Sequence, residues 1–456
     1  MSLSVFVCAG GKSSRFGNTT PKLFQDLGGR PVIHHVLDSA CKLTPSENVY
    51  VVSSREFLEW EGWPDKVQRV LQSPALGTGH AFQLALQSFL THTPNASQDD
   101  TLLVLMGDCP LITVQDLAAL LNDSSPITLL GMYPDVFRRY GQIQKDAQGH
   151  VCHIQECTGS TWTEAQAAAL CYTGVLKIRA DLAREWSELL PFHAAAQEYY
   201  ITDLPHIAYT QGHSVGLVVA TYPGHFTGIN TKEDWQAAYQ ILQHRWRQNA
   251  LVQGALLHDP GSTILAWDTQ FAKDVQVHPF TFFGAGVTVE EGAIIHSFSH
   301  ISNTHIGKHA SVGPFAHVKA GSHLGAHSCI GSFVEVKHST IGDYSQAKHL
   351  AYLGDAELGQ DVNIGAGVVT CNYDGKEKHT TTIHSEASVG AGTMLIAPVT
   401  LGSRSTVGAG SVITQDVPEC TIAVSRTPQK NKVLPKESRH LKRWPKSKPK
   451  DSGRKS

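Results

Sequence analysis

Disulfide and zinc frameworks are the first things missing from this chain. Nine cysteines are scattered through 456 residues with no C-x-x-C and no repeated spacing. That scatter reads as reduced thiols, not as a cystine scaffold or a zinc site. Long apolar runs are missing too, and none approaches the roughly 18 residues that a membrane span needs. The N-terminus lacks a basic stretch followed by a long apolar core, so no secretory leader is expected and a cytoplasmic location is. Charge of one sign is also lacking: the formal net charge is −3, with 17% charged residues. No global bias toward nucleic acid or membrane follows, and neither is expected as a partner. The exception is local. Residues 429–456 carry eleven Lys and Arg against Glu437 and Asp451, and read as a solvated, disordered tail.

What the chain does have is a six-residue rhythm. Apolar residues recur at Val277, Phe283, Val289, Ile295 and Ile301. After a one-residue slip they continue at Ile306, Val312, Val318, Leu324, Ile330 and Val336, and again at Val389, Leu395, Leu401, Val407 and Ile413. Period six fits neither an amphipathic helix nor an alternating strand. It is the mark of hexapeptide repeats, whose short strands stack into a parallel β-helix. No single turn buries its own apolar face, so the array is expected to be continuous and rigid. The rhythm looks weakest around His349 and between Thr370 and Val389. Histidines eighteen residues apart (His278/His296, His305/His323 and His309/His327) are expected to stack outside it as ordinary exposed turn residues.

The first half alternates strand-like and helix-like segments: 3–9, 31–43, 48–53, 66–72, 79–90 and 101–106. This βαβ order predicts a mostly parallel, doubly wound sheet, with ligands beyond the C-terminal strand ends. Three candidate segments fall there. AGGKSSRFG (9–17) is a glycine-rich turn with Arg15, followed by Lys22, and suits close backbone approach to a phosphate. It is neither G-x-G-x-x-G nor G-x-x-x-x-G-K-S/T, which sets aside two common nucleotide motifs. Gln72 with LGTG and GDCP (107–110) are the others. Asp108 directly follows an apolar strand, where a carboxylate suits Mg²⁺ beside a nucleotide triphosphate as well as it suits a helix cap. Further on come a hairpin about Ala147–Gly149 that ends at Glu156, paired tyrosines before a helix, and a long helix over 231–254 with Trp235, Tyr239, Leu242 and Trp246 on one face.

The ordered segments LGTGHA, GD-x-PLI, YGxI, EYYITD, GIN, FVEVK, HLAYLGDAELG, VNIGAG, TCNYDGK, APVTLG and SRTPQ resemble the bifunctional N-acetylglucosamine-1-phosphate uridylyltransferase / glucosamine-1-phosphate N-acetyltransferase family over residues 3–432. The resemblance implies an α/β doubly wound nucleotidyltransferase domain (1–230), a linker helix (231–256), a left-handed β-helix acetyltransferase domain (257–428) and the basic tail. It implies acetyl-CoA and UTP as co-substrates, Mg²⁺, sugar-1-phosphates as the other small-molecule partners, and a homotrimer.

By the same resemblance, Gly10 and Gly11 line the nucleotide, Arg15 and Lys22 neutralise phosphates, and Gln72, Gly77 and Thr78 read the base. Asp108 and Asn230 bind the metal. Gly141, Glu156, Tyr172, Tyr200, Thr202 and Asn230 surround the sugar. In the C-terminal half His349 is the matching base. Lys319, Lys337, Tyr352 and Asn363 bind substrate, and Ala366, Asn372, Tyr373, Ala391, Ala409 and Arg426 hold CoA. The sequence departs from the family at Ser13–Ser14 (usually Gly-Thr), Tyr172 (usually Asn), Lys319 (usually Arg) and Ala391 (often Ser). Other readings are one retained activity, an altered sugar preference, or a non-catalytic regulatory subunit. The last is disfavoured by the retained phosphate loop and base.

Overall fold

The computed structural model describes residues 2–10, 21–60, 62–134, 140–157 and 169–435. Two compact units divide it: Met1–His309 with Val318–Gly321, and Ala310–His317 with Ser322–Ser456.

The first unit is built on one mixed sheet. Its strands are β1 (Ser2–Cys8), β2 (Val49–Ser53), β3 (Gln68–Leu71), β4 (Asp100–Met106), β5 (Ile127–Met132), the hairpin β6 (Gln142–Lys145) and β7 (Val151–Gln155), β8 (Cys171–Arg179), and a last strand, Val215–Val219. The main path runs β3-β2-β1-β4-β8-β5 and ends on Val215–Val219. β1 is parallel to both β2 and β4. The chain therefore turns away from β1 in opposite directions, which makes the C-terminal ends of β1 and β4 the switch point where open α/β sheets bind ligands.

The expectation of a mostly parallel sheet needs one amendment. β8 lies antiparallel between β4 and β5. Its sequence CYTGVLKIR starts with turn-like residues, and Gly174 sits at φ +89 beside a register shift in the partner strand. This breaks the strand pattern that sequence reading relies on.

Four helices flank the first strands: α1 (Val32–Leu43), α2 (Arg55–Leu58), α3 (Gly77–His92) and α4 (Val114–Asn122). Side chains alternate along β1, so its two faces enter different cores. Phe6 packs with Phe82 and Phe89 of α3, while Val5 and Val7 pack with Ile33 and Val36 of α1 and Leu117 and Leu120 of α4. α1 reads V-I-x-x-V-L-x-x-A, and that spacing puts its buried residues on one stripe.

The helix Lys232–Val252 opens with a capping box between Thr231 and Asp234. Its Ala238 and Leu242 are buried with Leu27, Val32 and Leu111, and Trp235, Tyr239 and Trp246 pack against that cluster. The aromatic face foreseen on this helix thus packs against the core of the first unit.

The hexad positions are core. All sixteen apolar residues of the three runs are no more than 5% exposed, each contributing roughly 1.5–3 kcal/mol of burial. In the first unit the strands Leu256–Leu257, Gln276–Val277 and Ile294–Ile295 pair in parallel. In the second unit one parallel sheet runs from Ser311–Val312 through Cys329–Ser332, Gln346–His349, Asn363–Ile364, Ser388–Val389 and Thr406–Val407 to Ile422–Ala423. Two further sheets, starting at Ser322–Leu324 and Glu335–Lys337, complete the coils.

The rhythm slips by one residue on either side of His349, at Val336–Ile341 and Leu353–Leu358, as the sequence suggested, but the core stays filled. Ile341, Ala347, Leu353, Leu358, Ile364, Thr370 and Ile383 fill the same inward positions and are no more than 4% exposed. The pattern was hidden by coils one residue shorter and by small or polar residues, Ala347 and Thr370, taking aliphatic places. The remaining interruption is the loop between the strands Val369–Cys371 and Thr381–Ile383.

Candidate functional site

The turn after β1 is held from both sides. Ala9 donates its N–H to Val52 O (2.8 Å), the Ser53 hydroxyl donates to Ala9 O (2.9 Å), and Gly107 N–H donates to Cys8 O (2.9 Å). Gly10 follows at the strand end. A Cβ there would lie 2.1 Å from Gln72 Oε1, so any larger residue would force that side chain to move. Gln72 is buried, and its amide donates to Gly77 O at 2.9 Å. Gly77 has φ +89 and starts α3, two residues earlier than the sequence suggested.

The Lys22 ammonium is the centre of the cleft. It lies 2.6 Å from Asp108 Oδ2 and 3.0 Å from Asn230 Oδ1, and Lys22 is only 9% exposed. Asp108 follows β4 by two residues, and its carbonyl accepts Ile229 N–H at 2.9 Å. Gly228 permits this closure, since a Cβ there would lie 3.1 Å from the Asp108 carboxylate. The Asn230 amide donates to Gly228 O, which aims its oxygen at Lys22, while Asn230 N–H donates to the capping residue Asp234. Two hard oxygen donors thus converge on one cation, a donor set that fits Mg²⁺ chemistry. Nearby, burial and then the Asp108 charge push the Cys8 thiol up to about 12. It stays protonated beside the cleft.

Two concave lobes meet here and share Thr78, Met106, Asp108 and Glu156. The first, about 640 Å³, takes in Gly10, Lys22, Gln72, Gly77 and Tyr200. The second, about 1050 Å³, takes in Gly141, Tyr172, Thr202 and Asn230. The Thr202 hydroxyl donates to Glu156 Oε1 at 2.7 Å, and Ile201 N–H donates to Thr78 Oγ1 at 3.2 Å. The described site residues of the first half therefore gather in one cleft, although they come from many separate segments. Gly11 and Arg15 lie outside the described residues. Sequence reading passed over Glu198, which also lines the first lobe, and Asp234, which accepts Asn230 N–H and forms the capping box with Thr231. The signal for the cap was present as T-x-x-D.

In the second unit the ladder bonds expose a column. Leu350 N–H donates to Ser332 O, Gly367 N–H to His349 O, Gly392 N–H to Ala366 O, and Gly410 N–H to Ala391 O. Ser332, His349, Ala366, Ala391 and Ala409 thus occupy one corner of successive coils. Coils in such a stack are about 4.8 Å apart. The next residue at each corner is left-handed, at φ 53 for Leu350 and 74, 68 and 72 for Gly367, Gly392 and Gly410. The three Gly-Ala-Gly corners leave bare backbone above the exposed imidazole of His349. Arg426 packs against the last of them, with Nη2 3.6 Å from a Cβ built at Gly408.

Lys337 and Tyr352 lie on adjacent strands of one sheet, with Glu335 opposite Tyr352 and Lys337 opposite Gly354. Asn363 lies opposite Gln346. Asn372 is buried and its amide donates to Asp355 Oδ2, an anchor that sequence reading did not single out. Tyr373 is 61% exposed on the inserted loop, bridged to Lys378. That loop is ordered by Asp374, whose carboxylate accepts Lys376 and Glu377 N–H and contacts His379. These bonds hold it well below the usual carboxylate range. Lys319 belongs to the first unit.

Of the stacked histidines, His278 and His296 meet edge to face at 5.0 Å, and His258 joins them at 4.8 Å from His278. Among the described residues no group of three or more His, Cys, Asp or Glu could hold a metal.

Residues 5–139 match the MobA-like NTP transferase domain, and residues 303–338 match the bacterial transferase hexapeptide (six repeats). Along nearly its whole length the chain is similar to curated relatives. It is 37% identical over 436 residues to the Bifunctional protein GlmU of Paracoccus denitrificans (strain Pd 1222), covering 94% of each chain. It is 34% identical over 441 residues to that of Zymomonas mobilis subsp. mobilis, covering 94% of this chain and 96% of the relative. With both matched domains present in this order and the likeness running through both units, the chain belongs to the bifunctional GlmU family.

Proposed function

We propose that this protein makes UDP-N-acetylglucosamine in two steps at two separate sites. The second unit transfers the acetyl group of acetyl-CoA to the amine of glucosamine-1-phosphate. The first unit then joins the product to UTP and releases pyrophosphate. The observation that carries this reading is the Lys22 ammonium held between Asp108 and Asn230 at the sheet's switch point.

In the uridylyl step a sugar phosphate oxygen attacks the α-phosphorus of UTP in line, and the bond to the pyrophosphate oxygen breaks. Positioning and charge stabilisation do most of this work. Gly10 brings backbone close to the nucleotide, and Gln72 and the start of α3 face the base. Lys22 swings from Asp108 to the phosphates when they arrive. Asp108 and Asn230 would then hold Mg²⁺, which when bound supplies charge to the reacting phosphates. Glu156, Thr202, Tyr200 and Gly141 surround the hexose.

In the acetyl step His349 takes a proton from the amino group as nitrogen attacks the thioester carbonyl. The C–N bond forms, the C–S bond breaks, and the thiol leaves with a proton. An imidazole suits that role near neutral pH. Ala366, Ala391 and Ala409 offer a flat backbone column to the CoA arm, with Arg426 for its phosphates. The inserted loop with Asn372 and Tyr373 completes this site, and we propose a homotrimer in which it serves a neighbouring copy. No described helix is long and apolar enough to cross a membrane, and a cytoplasmic location is part of the proposal.

Incubating pure protein with glucosamine-1-phosphate, acetyl-CoA, UTP and Mg²⁺, with mass detection, tests the reading. N-acetylglucosamine-1-phosphate is expected first and the UDP-sugar second. Absence of both products would reject it.

A further inference from the structure

Asp108 and Asn230 sit on two segments far apart in sequence, one running from Asp108 into α4 and the other from Tyr222 to Asn230. Three ties join them. Ile229 N–H donates to Asp108 O at 2.9 Å, and the Cys109 thiol faces Phe226 O at 3.6 Å. The third tie is a pair of side chains: His225 Nδ1 lies 3.0 and 2.9 Å from the two carboxylate oxygens of Asp116. Burial works to raise the Asp116 carboxyl, but the bonds from His225 and Thr113 outweigh it and hold the group below its ordinary value. An ionised carboxylate only accepts, so Nδ1 carries a proton and donates it.

Both partners are held. Asp116 closes the capping box of α4, accepting Thr113 N–H at 2.9 Å and the Thr113 hydroxyl at 2.7 Å. The His225 ring stacks on Tyr222 at 5.2 Å. The two side chains are 19% and 8% exposed, and neither residue is among those lining the two lobes. Phe226 and Ile229 anchor the second segment in two separate apolar clusters, which sets its depth. Apolar burial is non-directional, however. The His225–Asp116 bond is directional and pins the segment along its length.

We infer that His225 and Asp116 are positioning residues for the uridylyl site: their bond keeps the 222–230 segment in register with the start of α4, and so sets the spacing of Asp108 and Asn230 on which metal affinity depends. This rests on the uridylyl-transfer reading above. Groups that orient a metal's ligands from behind commonly change its affinity about 10- to 100-fold when removed.

The test compares the full wild-type chain with His225→Leu, which keeps bulk but loses the donor, and His225→Asn, whose amide can place an N–H near the Nδ1 position. Four quantities are read: the Mg²⁺ dependence of uridylyl transfer, the rise in thermal midpoint that Mg²⁺ gives with UTP present, deuterium uptake by peptides covering 107–113 and 222–230 without ligands, and the acetyl-transfer rate. In His225→Leu the Mg²⁺ concentration for half-maximal rate is expected to rise about tenfold, with kcat at saturating Mg²⁺ near the wild-type value. The midpoint rise shrinks, both peptides exchange faster, and acetyl transfer is unchanged. His225→Asn returns all four toward wild type. An unchanged Mg²⁺ dependence in folded His225→Leu would overturn the inference. So would a fall in kcat with the Mg²⁺ dependence intact, the mark of a merely structural pair. Should His225→Leu fail to fold, His225→Gln, whose amide reaches the Nε2 position instead, takes its place with the same expectations. Failure of the parent reading looks different: wild type would then release no pyrophosphate at any Mg²⁺ concentration, while deuterium uptake would still report whether the pair ties the two segments.

Discussion

Lys22 and Asp108 are 86 positions apart, and Lys22 and Asn230 are 208 apart, yet one ammonium joins all three. Each residue was legible by itself, in TPKLF, GD-x-PLI and GIN. Their convergence was not, because sequence patterns carry local periodicity and turn chemistry but no pairing across a sheet. Gly10 shows the same limit. Its place in a glycine-rich turn was legible, while its steric reason, the Gln72 side chain, became visible only in the structure. That reason gives a prediction. In Gly10→Ala the new Cβ would lie 2.1 Å from Gln72 Oε1, and Gln72 must give up its bond to Gly77 O. KM for UTP is expected to rise about tenfold, the scale of one lost hydrogen bond, with acetyl transfer unchanged. Steady-state kinetics of both half-reactions would check it, and an unaltered KM for UTP would remove Gln72 from the nucleotide site.

At the scale of elements, α1 carries a titratable group in its apolar stripe. His35 Nδ1 accepts from Arg30, which has no acceptor of its own, so the ring proton sits on Nε2 and is donated to Leu27 O at 2.8 Å. A second ring proton would face the guanidinium. Burial first and Arg30 second lower His35 from 6.5 to about 3. Because the folded value is depressed, the unfolded chain takes the proton first. The contribution of His35 is complete above pH 6.5 and is lost as pH falls toward about 3, a change of about 5 kcal/mol at most. His35→Gln keeps one acceptor and one donor without titrating. Its thermal midpoint should fall less steeply than wild type between pH 7 and pH 4, and parallel profiles would contradict this.

The β-helix was the most legible element, since a six-residue period has one structural meaning. Its chemistry was less so. His349 sits in a coil one residue short but fully filled, and what distinguishes its corner is the Gly-Ala-Gly column above it, visible only once the ladder bonds align residues 17 to 25 positions apart. The inserted loop was visible as a break in rhythm, but its anchor was not. Asp355→Ala would leave the buried Asn372 amide without its acceptor. A loss of about 1–2 kcal/mol is expected, together with slower acetyl transfer and unchanged uridylyl transfer. Equal loss of both reactions in a folded variant would argue against a loop role confined to acetyl transfer.

For the whole molecule, one reaction is proposed for each unit. Two folds with different periodicities, 2 and 3.6 in the first half and 6 in the second, were readable without coordinates. The antiparallel β8 and the first coils grouped with the nucleotide-binding half were the parts that sequence did not disclose. The most direct test measures both half-reaction rates in Asp108→Ala and His349→Ala. Asp108→Ala is predicted to lose uridylyl transfer by about 10²-fold or more while keeping acetyl transfer, and His349→Ala to do the reverse. Folded variants in which each substitution damages both reactions equally would contradict the two-site account.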